Sequence, residues 1–248
     1  MRRVLALLLI AATIGGCSSP GSGSKGGGGS ITVDAAASLT DAFTTLKARF
    51  EKDHPGAKVK LTFGASSDLS TQIAQGAPVD VFASASEKNM KALGARALSP
   101  TDFVKNTLEI AVPPSNPAGI TTPADLARPG IKVAVCDPAV PCGVVAAQVF
   151  KNLGITVHPA ASLADVKSTL AAVESGEVDA GLVYVTDVRS AGRKVKGVEI
   201  PAAVNASTTY PIAALKDAKN ATLAKAWVDF VRSDAGRTVL VAAGFVAS

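Results

Sequence analysis

The chain alternates short apolar runs with segments whose apolar residues recur at helical spacing, and this alternation constrains the fold more than any other feature. Runs such as ITVDAAA at 31–37 and DAGLVYV at 179–185 are typical of buried strands. The first run is followed by apolar residues three and four positions apart: Leu39, Ala42, Phe43, Leu46 and Phe50. Strands separated by helices predict βαβ units with right-handed crossovers. Continuous apolar runs predict that helices cover both faces of the sheets.

The alternation continues along the whole chain and divides into two sets of similar size. Further strands are predicted at 58–64, 79–84, 107–114, 132–137 and 208–215, and further helices at 66–75, 86–94, 143–153, 163–173 and 223–231. The sequence therefore predicts an α/β protein of two lobes, each a mixed or mostly parallel sheet flanked by helices. Lobe one is placed at 31–113 plus 207–248, and lobe two at 114–206. Ligands of open α/β sheets bind beyond the carboxyl ends of the strands.

The first 30 residues predict export and attachment to a membrane. An apolar run at 4–14 follows a basic start and is shorter than the roughly 17–25 residues of a membrane-spanning helix, which is typical of a secretory signal. The stretch IGGC at 14–17 resembles a bacterial lipobox, in which Cys17 would carry lipid; the alternative is an ordinary signal peptide and a stray cysteine. We predict a signal peptide at 1–16 and a lipidated, flexible Gly/Ser-rich tether at 17–30. The protein would then sit on the outer face of the cell membrane, touching it only through lipid.

Charge and histidine content exclude several functions. The chain has 25 basic and 20 acidic residues, and removal of Arg2 and Arg3 with the signal leaves a net charge of +3. With few aromatic residues, this balance does not indicate a nucleic-acid surface. His54 and His158 are the only histidines. Nucleophilic serine catalysis needs a base, and a zinc site needs further ligands, so neither is predicted.

Two cysteines remain once Cys17 is assigned to the anchor. Cys136 and Cys142 lie in the segment CDPAVPC. Disulfides persist in exported proteins, but sequence alone does not show whether the two come within bridging distance. A disulfide and a pair of buried thiols both stay open.

Small or hydroxyl-bearing residues follow several predicted strands. Ser38 follows the first strand and has Asp41 three residues on, which fits a capping box. Ser66 and Cys142 come after other strands, Tyr184 lies at the end of one, and none of these positions carries Lys, Arg or His. Each residue alone is explained by helix capping or core packing. Together they suggest helix N-termini that converge on one crevice, where free amides and partial positive charge favour an anion.

Four segments carry a family resemblance. AAASLTDAF, FGASSDLSTQIAQGAPVDVFASA, VAVCDPAVPCGV and DVKSTLAAVESGEVDAGLVYVTD resemble, in this order, the periplasmic molybdate-binding proteins of ABC transporters. The likeness covers residues 31–248. It implies a type II periplasmic binding fold that closes on molybdate or tungstate without a cofactor, acts as a monomer and docks on an ABC transporter permease. The ligand-binding residues that it implies are Ser38, Ser66, Cys142, Val166 and Tyr184.

The implied role of Val166 depends on where its helix begins. Ser162 and Asp165 also have capping-box spacing, and a cap at Ser162 would engage the N–H of Val166. We favour a helix that starts nearer Asp165, which leaves that N–H free.

The implied ligand groups all donate hydrogen bonds. Monohydrogen phosphate carries a proton that would then lack an acceptor, at a cost of about 1–3 kcal/mol. A fully deprotonated dianion avoids this cost. The alternatives are sulfate or phosphate binding on the same scaffold, an exported enzyme built on a binding-protein fold, and a surface adhesion lipoprotein.

Overall fold

The computed structural model describes residues 28–248. The predicted signal peptide at 1–16 and the predicted lipidation of Cys17 therefore lie outside the described residues. The predicted tether ended at Ser30, but the first strand already begins at Gly29, whose N–H donates to the carbonyl of Gly56 at 3.0 Å. Composition misplaced this boundary, because a strand ladder uses backbone groups that glycine and serine also possess.

The strands and helices alternate as predicted over most of the described chain. The strands are β1 Gly29–Ala36, β2 Ala57–Gly64, β3 Val81–Ala83, β4 Ala97–Val112, β5 Val133–Cys136, β6 Ala161–Leu163, β7 Ala180–Tyr184, β8 Lys196–Val198, β9 Ser207–Leu215 and β10 Val246–Ala247. The α-helices are α1 Thr40–Asp53, α2 Ser66–Ala74, α3 Glu87–Lys91, α4 Pro141–Leu153, α5 Val166–Glu174, α6 Val185–Ala191, α7 Ala221–Arg232 and α8 Asp234–Ala243.

The strands form a mixed sheet in the order β2-β1-β3-β9-β4-β7-β5-β6, with β8 and β10 also paired to β4. β1 runs parallel to β2 and β3, and β5 runs parallel to β6 and β7. These pairs confirm the predicted βαβ units. β9 and β4 instead run antiparallel to their neighbours, so each half of the sheet combines both kinds of pairing. The sheet therefore has two halves flanked by helices, as the predicted two-lobed α/β architecture requires.

β4 belongs to both halves of the sheet. Up to Thr107 it pairs with β9 of the first lobe, and from Leu108 it pairs with β7 of the second. The predicted strand at 107–114 covered only its second half. The first half contains Pro100 and register shifts in its pairing with β9, so no clean apolar pattern marks it. The lobe boundaries at 113/114 and 206/207 stay predictions.

Each lobe has its own apolar core. In the first lobe, the rings of Phe43 and Phe50 from α1 meet Trp227 of α7 edge-on, with centroids 5.8 and 5.3 Å apart. The second lobe packs α4 and α5 against β5 and β7, around residues such as Val149 and Leu182. The apolar positions predicted for α1 are buried, which confirms its core-facing side.

The C-terminal region contains one helix more than the spacing predicted. The predicted apolar face at 223–231 is α7, and α8 follows directly after Ser233. The Ser233 hydroxyl accepts from the N–H of Gly236 at 3.2 Å and caps α8. α8 places its C-terminal end beside the second lobe, where Arg189 lies against Gly244.

Candidate functional site

A small cavity lies between the two lobes, beyond the carboxyl ends of β1, β2 and β7 and at the N-termini of α2, α4 and α5. About 20 Å³ of it is open to the centre of a water molecule, and one water needs about 10–15 Å³ on the same measure. The cavity therefore has room for about one water-sized group. Its lining residues are Ala36, Ala37, Ser38, Gly64, Ala65, Ser66, Ala85, Val140, Pro141, Cys142, Asp165, Val166 and Tyr184.

All the residues that the sequence nominated as ligand-binding line this one cavity. Their exposed fractions are small: 5% for Ser38, 1% for Ser66, 5% for Cys142, 2% for Val166 and 1% for Tyr184. The first two come from lobe one and the other three from lobe two. That they hold an anion stays a prediction, but their convergence is what such a site requires.

Ser38 does not cap α1, so the predicted capping box with Asp41 is wrong. A 3₁₀ turn over Ala37–Leu39 separates β1 from α1, and the N-cap position of α1 falls on Leu39 without a side-chain cap. The Ser38 hydroxyl lies instead 2.8 Å from the hydroxyl of Tyr210 on β9. The extra turn moved the N-cap from the predicted Ser38 to Leu39, a shift of one residue that spacing alone did not reveal.

Ser66 is the first residue of α2 and does not cap it either. Its Oγ accepts a hydrogen bond from the N–H of Ala85, 2.9 Å away, in the segment that follows β3. A hydroxyl has one proton and two lone pairs. With one lone pair engaged, the proton of Ser66 is free to be donated into the cavity.

Tyr184 ends β7 and precedes α6. Within residues 28–248 its buried hydroxyl has no hydrogen-bond partner. Burial raises the pKa of Tyr184 well above its ordinary value, so the phenol keeps its proton. A buried polar group without a partner is unusual in a folded protein. Here the unpartnered hydroxyl belongs to a residue of the cavity wall, as expected for a group reserved for a ligand.

Cys142 and Val166 place backbone amides at the cavity. Cys142 is the second residue of α4, and Val166 is the first residue of α5. Amides in the first turn of a helix lack acceptors within the helix. The cap of α5 is Asp165, whose Oδ1 accepts from the N–H of Ser168 at 2.8 Å. The helix start favoured from the sequence is thus confirmed, while Ser162 lies in β6.

The start of α4 lies close against the end of β5. A Cβ atom at Gly143 would overlap the carbonyl oxygen of Asp137, so this position accepts no side chain without movement. Helix α4 begins at Pro141 rather than at Gly143 as predicted, because proline is compatible with the first helical position. Cys142 forms a disulfide with Cys136, their Cα atoms 5.7 Å apart. The bond ties the first turn of α4 to β5.

The cavity wall carries no cationic side chain among the described residues. Asp165 is its one charged residue, and its carboxylate is engaged in capping α5. The favourable potential for an anion therefore comes from hydroxyl groups and from the N-terminal ends of helices, which carry partial positive charge.

An ion-pair cluster lies beside the cavity, and sequence reasoning did not find it. The Lys167 ammonium lies 2.8 Å from Asp41 Oδ2 and 3.2 Å from Asp187 Oδ1. Asp187 is fully buried and accepts from the N–H of Tyr184 at 3.1 Å. Burial raises the pKa of Asp187 to about 6, against the lowering effect of Lys167. Its position three residues after Tyr184 was a signal for an acid at the third position of α6.

Tyr210 is the other residue near the cavity that the sequence did not reveal. It is fully buried in β9 within an apolar run, where a core tyrosine is the ordinary interpretation. No local pattern connects it with Ser38, which is 172 positions away in the chain.

Residues 28–248 contain neither a helix that could span a membrane nor a metal-binding cluster. None of the described helices combines the length and apolarity that a bilayer span requires. Nor do three or more His, Cys, Asp or Glu side chains from residues 28–248 come together as a metal site.

The fold and cavity define a class: a two-lobed α/β binding protein with a site between its lobes. A family model described as bacterial extracellular solute-binding protein matches residues 31–246. The chain belongs to this family.

Several known proteins resemble the chain over most of its length. The molybdate-binding protein ModA of Mycobacterium tuberculosis is 41% identical over 98% of this chain and 95% of its own. The solved substrate-binding domain of a putative molybdenum ABC transporter from Clostridium difficile is 31% identical, with a TM-score of 0.67 over 88% of this chain and 99% of that one. The periplasmic molybdate-binding protein of Azotobacter vinelandii is 23% identical, with a TM-score of 0.77 over 87% and 98%, and supports the fold alone.

Proposed function

We propose that this protein is an extracytoplasmic substrate-binding lipoprotein that captures molybdate or tungstate between its lobes and delivers it to an ABC importer. The observation that carries the proposal is the Tyr184 hydroxyl, which is buried and unpartnered within the described chain and lies on the wall of the inter-lobe cavity. Burying a hydroxyl without a partner costs free energy, and this cost is recovered when an acceptor enters the cavity. The molybdate-binding relative at 41% identity supports the choice of ion.

The donors around the cavity fit a deprotonated tetrahedral dianion. Ser66 has a free proton because its oxygen already accepts from Ala85, and Tyr184 has no other partner within the described residues. The first-turn amides of Cys142 and Val166 add backbone donors. When these groups face the ligand as donors, the proton of monohydrogen phosphate has no acceptor, whereas molybdate, tungstate and sulfate present acceptors alone.

Isothermal titration of the folded domain tests the proposal. Residues 28–248 are titrated with molybdate, tungstate, sulfate and phosphate. We expect tight binding of molybdate and tungstate and much weaker binding of the other two. Sulfate binding as tight as molybdate would show that the site serves a different oxyanion, and no binding of any of the four would refute an oxyanion function.

The proposed role is capture rather than catalysis, with no cofactor and with the oxyanion as cargo. The carboxylate on the wall, that of Asp165, is committed to the helix cap. Loss of Ser38 or Tyr184 should therefore change affinity and no turnover.

We also propose that Cys17 carries lipid and that the protein works as a monomer beside its permease. Cells expressing the full chain and grown with a labelled fatty acid should yield labelled protein in the membrane fraction. The Cys17→Ala variant should be unlabelled and released. Label retained by that variant would refute the anchor without affecting the binding proposal.

A further inference from the structure

The Tyr210 hydroxyl lies directly behind Ser38 and does not itself line the cavity. Its ring is fixed in the core of the first lobe by edge-on contacts with Phe103 and Phe245, at centroid distances of 6.4 and 5.3 Å. The residue is fully buried. The Oγ of Ser38, 2.8 Å away, is the hydrogen-bond partner of this hydroxyl in the described structure.

Either hydroxyl of this pair could be the donor, and the need to satisfy buried protons decides between them. If Ser38 donated to Tyr210, the buried proton of Tyr210 would be left without an acceptor. The hydroxyl of Tyr184 lies close enough to affect the pKa of Tyr210 but makes no hydrogen bond within residues 28–248, so Ser38 Oγ at 2.8 Å is the acceptor for that proton. Leaving a buried donor unpaired is costly. The proton of Ser38 faces a different situation, because Ser38 lines the cavity and can donate to water or ligand there, whereas Tyr210 does not line it. The favoured direction is therefore from Tyr210 to Ser38.

This direction fixes what Ser38 presents to a ligand. Its oxygen accepts a hydrogen bond from the Tyr210 hydroxyl, so its own proton is directed away from Tyr210 and one of its two lone pairs is occupied. Burial raises the pKa of Tyr210, which keeps the phenol protonated. The side-chain amide of Asn106 is held in one orientation by two other hydrogen bonds. Its Oδ1 accepts from the N–H of Thr107 at 3.1 Å, and its Nδ2 donates to Thr186 at 2.9 Å.

We propose that Tyr210 is a positioning and specificity residue, which acts through Ser38 to keep the cavity a donor-only site and so to exclude anions that carry a proton. The inference rests on the proposed oxyanion function. Without the Tyr210 hydroxyl, the Ser38 hydroxyl is free to rotate and can turn a lone pair toward the ligand, where it accepts a hydrogen bond. Monohydrogen phosphate would then find the acceptor that the native site denies it.

The test is titration of Tyr210→Phe with molybdate, sulfate and phosphate at a pH where phosphate is the monohydrogen dianion. We expect molybdate affinity to fall about 3- to 10-fold and phosphate affinity to rise by a similar factor, the worth of one hydrogen bond. Sulfate, which has no proton, should weaken in parallel with molybdate. Ser70→Ala removes a buried hydroxyl that donates to the carbonyl of Asn89 away from the cavity, and this control should leave the affinity ratios unchanged.

A double-mutant cycle separates action through Ser38 from a general structural effect. In a Ser38→Ala background, Tyr210→Phe should change neither affinity nor the phosphate-to-molybdate ratio. An equal loss for all three anions, or the same change with and without Ser38, would overturn the proposal. If wild type binds molybdate while the ratio does not move, this inference fails and the proposed function stands. If wild type binds no oxyanion, both fall.

A measurement on wild type covers the case in which Tyr210→Phe does not fold. Proton NMR of the unliganded domain should show a slowly exchanging Tyr210 hydroxyl proton with a cross-peak to the β-protons of Ser38. A hydroxyl proton on Ser38 that instead points at Tyr210 would overturn the proposal.

Discussion

Lys167 of the second lobe reaches Asp41 of the first, with 2.8 Å between Nζ and Oδ2. The same ammonium lies 3.2 Å from the buried carboxylate of Asp187, so one cation of the second lobe joins a fully buried acid of that lobe to a half-exposed acid of the first. Val166, which directly precedes Lys167 in the sequence, lines the cavity. The contact that bridges the lobes and the proposed ligand contact are thus adjacent in α5.

Replacing Lys167 should destabilise the protein more than a surface lysine would. Lys167→Met leaves Asp187 buried without its counter-charge, and breaking a buried pair from one side costs about 3–5 kcal/mol. We expect the free energy of unfolding, measured in urea, to fall by an amount toward the lower end of that range, because Asp187 can take up a proton. Lys167→Met combined with Asp187→Asn should recover most of it. Lys91→Met, which removes an exposed pair with Glu87, is the control and should change nothing measurable. Equal effects of the two lysine changes would contradict this view of Lys167.

Asp187 should make stability depend on pH in a defined window. Its pKa in the folded protein, about 6, lies above the ordinary value of 3.8. The folded state therefore binds a proton more tightly than the unfolded state, and stability falls as pH rises from about 4 to about 6, by up to about 3 kcal/mol. Unfolding free energies of Asp187→Asn across this window should vary less with pH than those of wild type. Asp229→Asn, an exposed control paired with Lys225, should keep the wild-type slope. Parallel profiles for wild type and Asp187→Asn would refute the assignment.

Removing the Tyr184 hydroxyl should separate binding from folding. Tyr184→Phe deletes a buried polar atom that has no partner in the described structure, so the unliganded protein should be as stable as wild type or slightly more stable. Molybdate affinity should fall about tenfold, since the lost contact exists only with ligand. Melting curves with and without molybdate measure both effects. A lower melting temperature of the unliganded variant with unchanged affinity would assign the hydroxyl a structural role instead.

Ser66 should matter for both folding and binding. Ser66→Ala leaves the N–H of Ala85 without its acceptor, at an expected cost of about 1–3 kcal/mol in unfolding free energy. The same change removes a donor from the cavity and should weaken molybdate binding several-fold. Ser67→Ala, one residue along α2, removes a hydroxyl that contacts only the side chain of its neighbour Asp68 and should alter neither quantity. If Ser66→Ala lowers stability alone, Ser66 holds the loop after β3 and does not bind ligand.

The disulfide should stabilise the first turn of α4. Cys136 and Cys142 are six positions apart, and closing a loop of this size is worth about 2 kcal/mol in the chain-entropy model. Urea unfolding of wild type should shift to lower denaturant when reductant is added. The double variant Cys136→Ala, Cys142→Ala should show the lower stability with or without reductant. A wild-type curve insensitive to reductant would mean that the bond contributes nothing.

Sequence patterns predicted the cavity wall well because its residues occupy positions that topology brings together. Parallel strands end at the same edge of a sheet, so Ser38 and Ser66, which follow β1 and β2, had to become neighbours. The same pattern marked Cys142 and Tyr184 of the other lobe, and the family resemblance added Val166.

The patterns failed where a contact depended on three-dimensional detail. The predicted capping box at Ser38 and Asp41 had the correct spacing, but a 3₁₀ turn lies between β1 and α1. The two side chains instead contact residues distant in sequence, Ser38 with Tyr210 and Asp41 with Lys167. Tyr210 is unremarkable within its own strand, and its role depends on the antiparallel pairing of β9, which alternation alone did not predict.

The absence of a lysine, arginine or histidine from the described cavity wall has a consequence for the loaded molecule. A dianion that enters there meets no opposite full charge and keeps its own. The occupied protein therefore differs from the vacant one by two negative elementary charges, centred at the seam between its halves. Its migration in a native electric field should report occupancy directly.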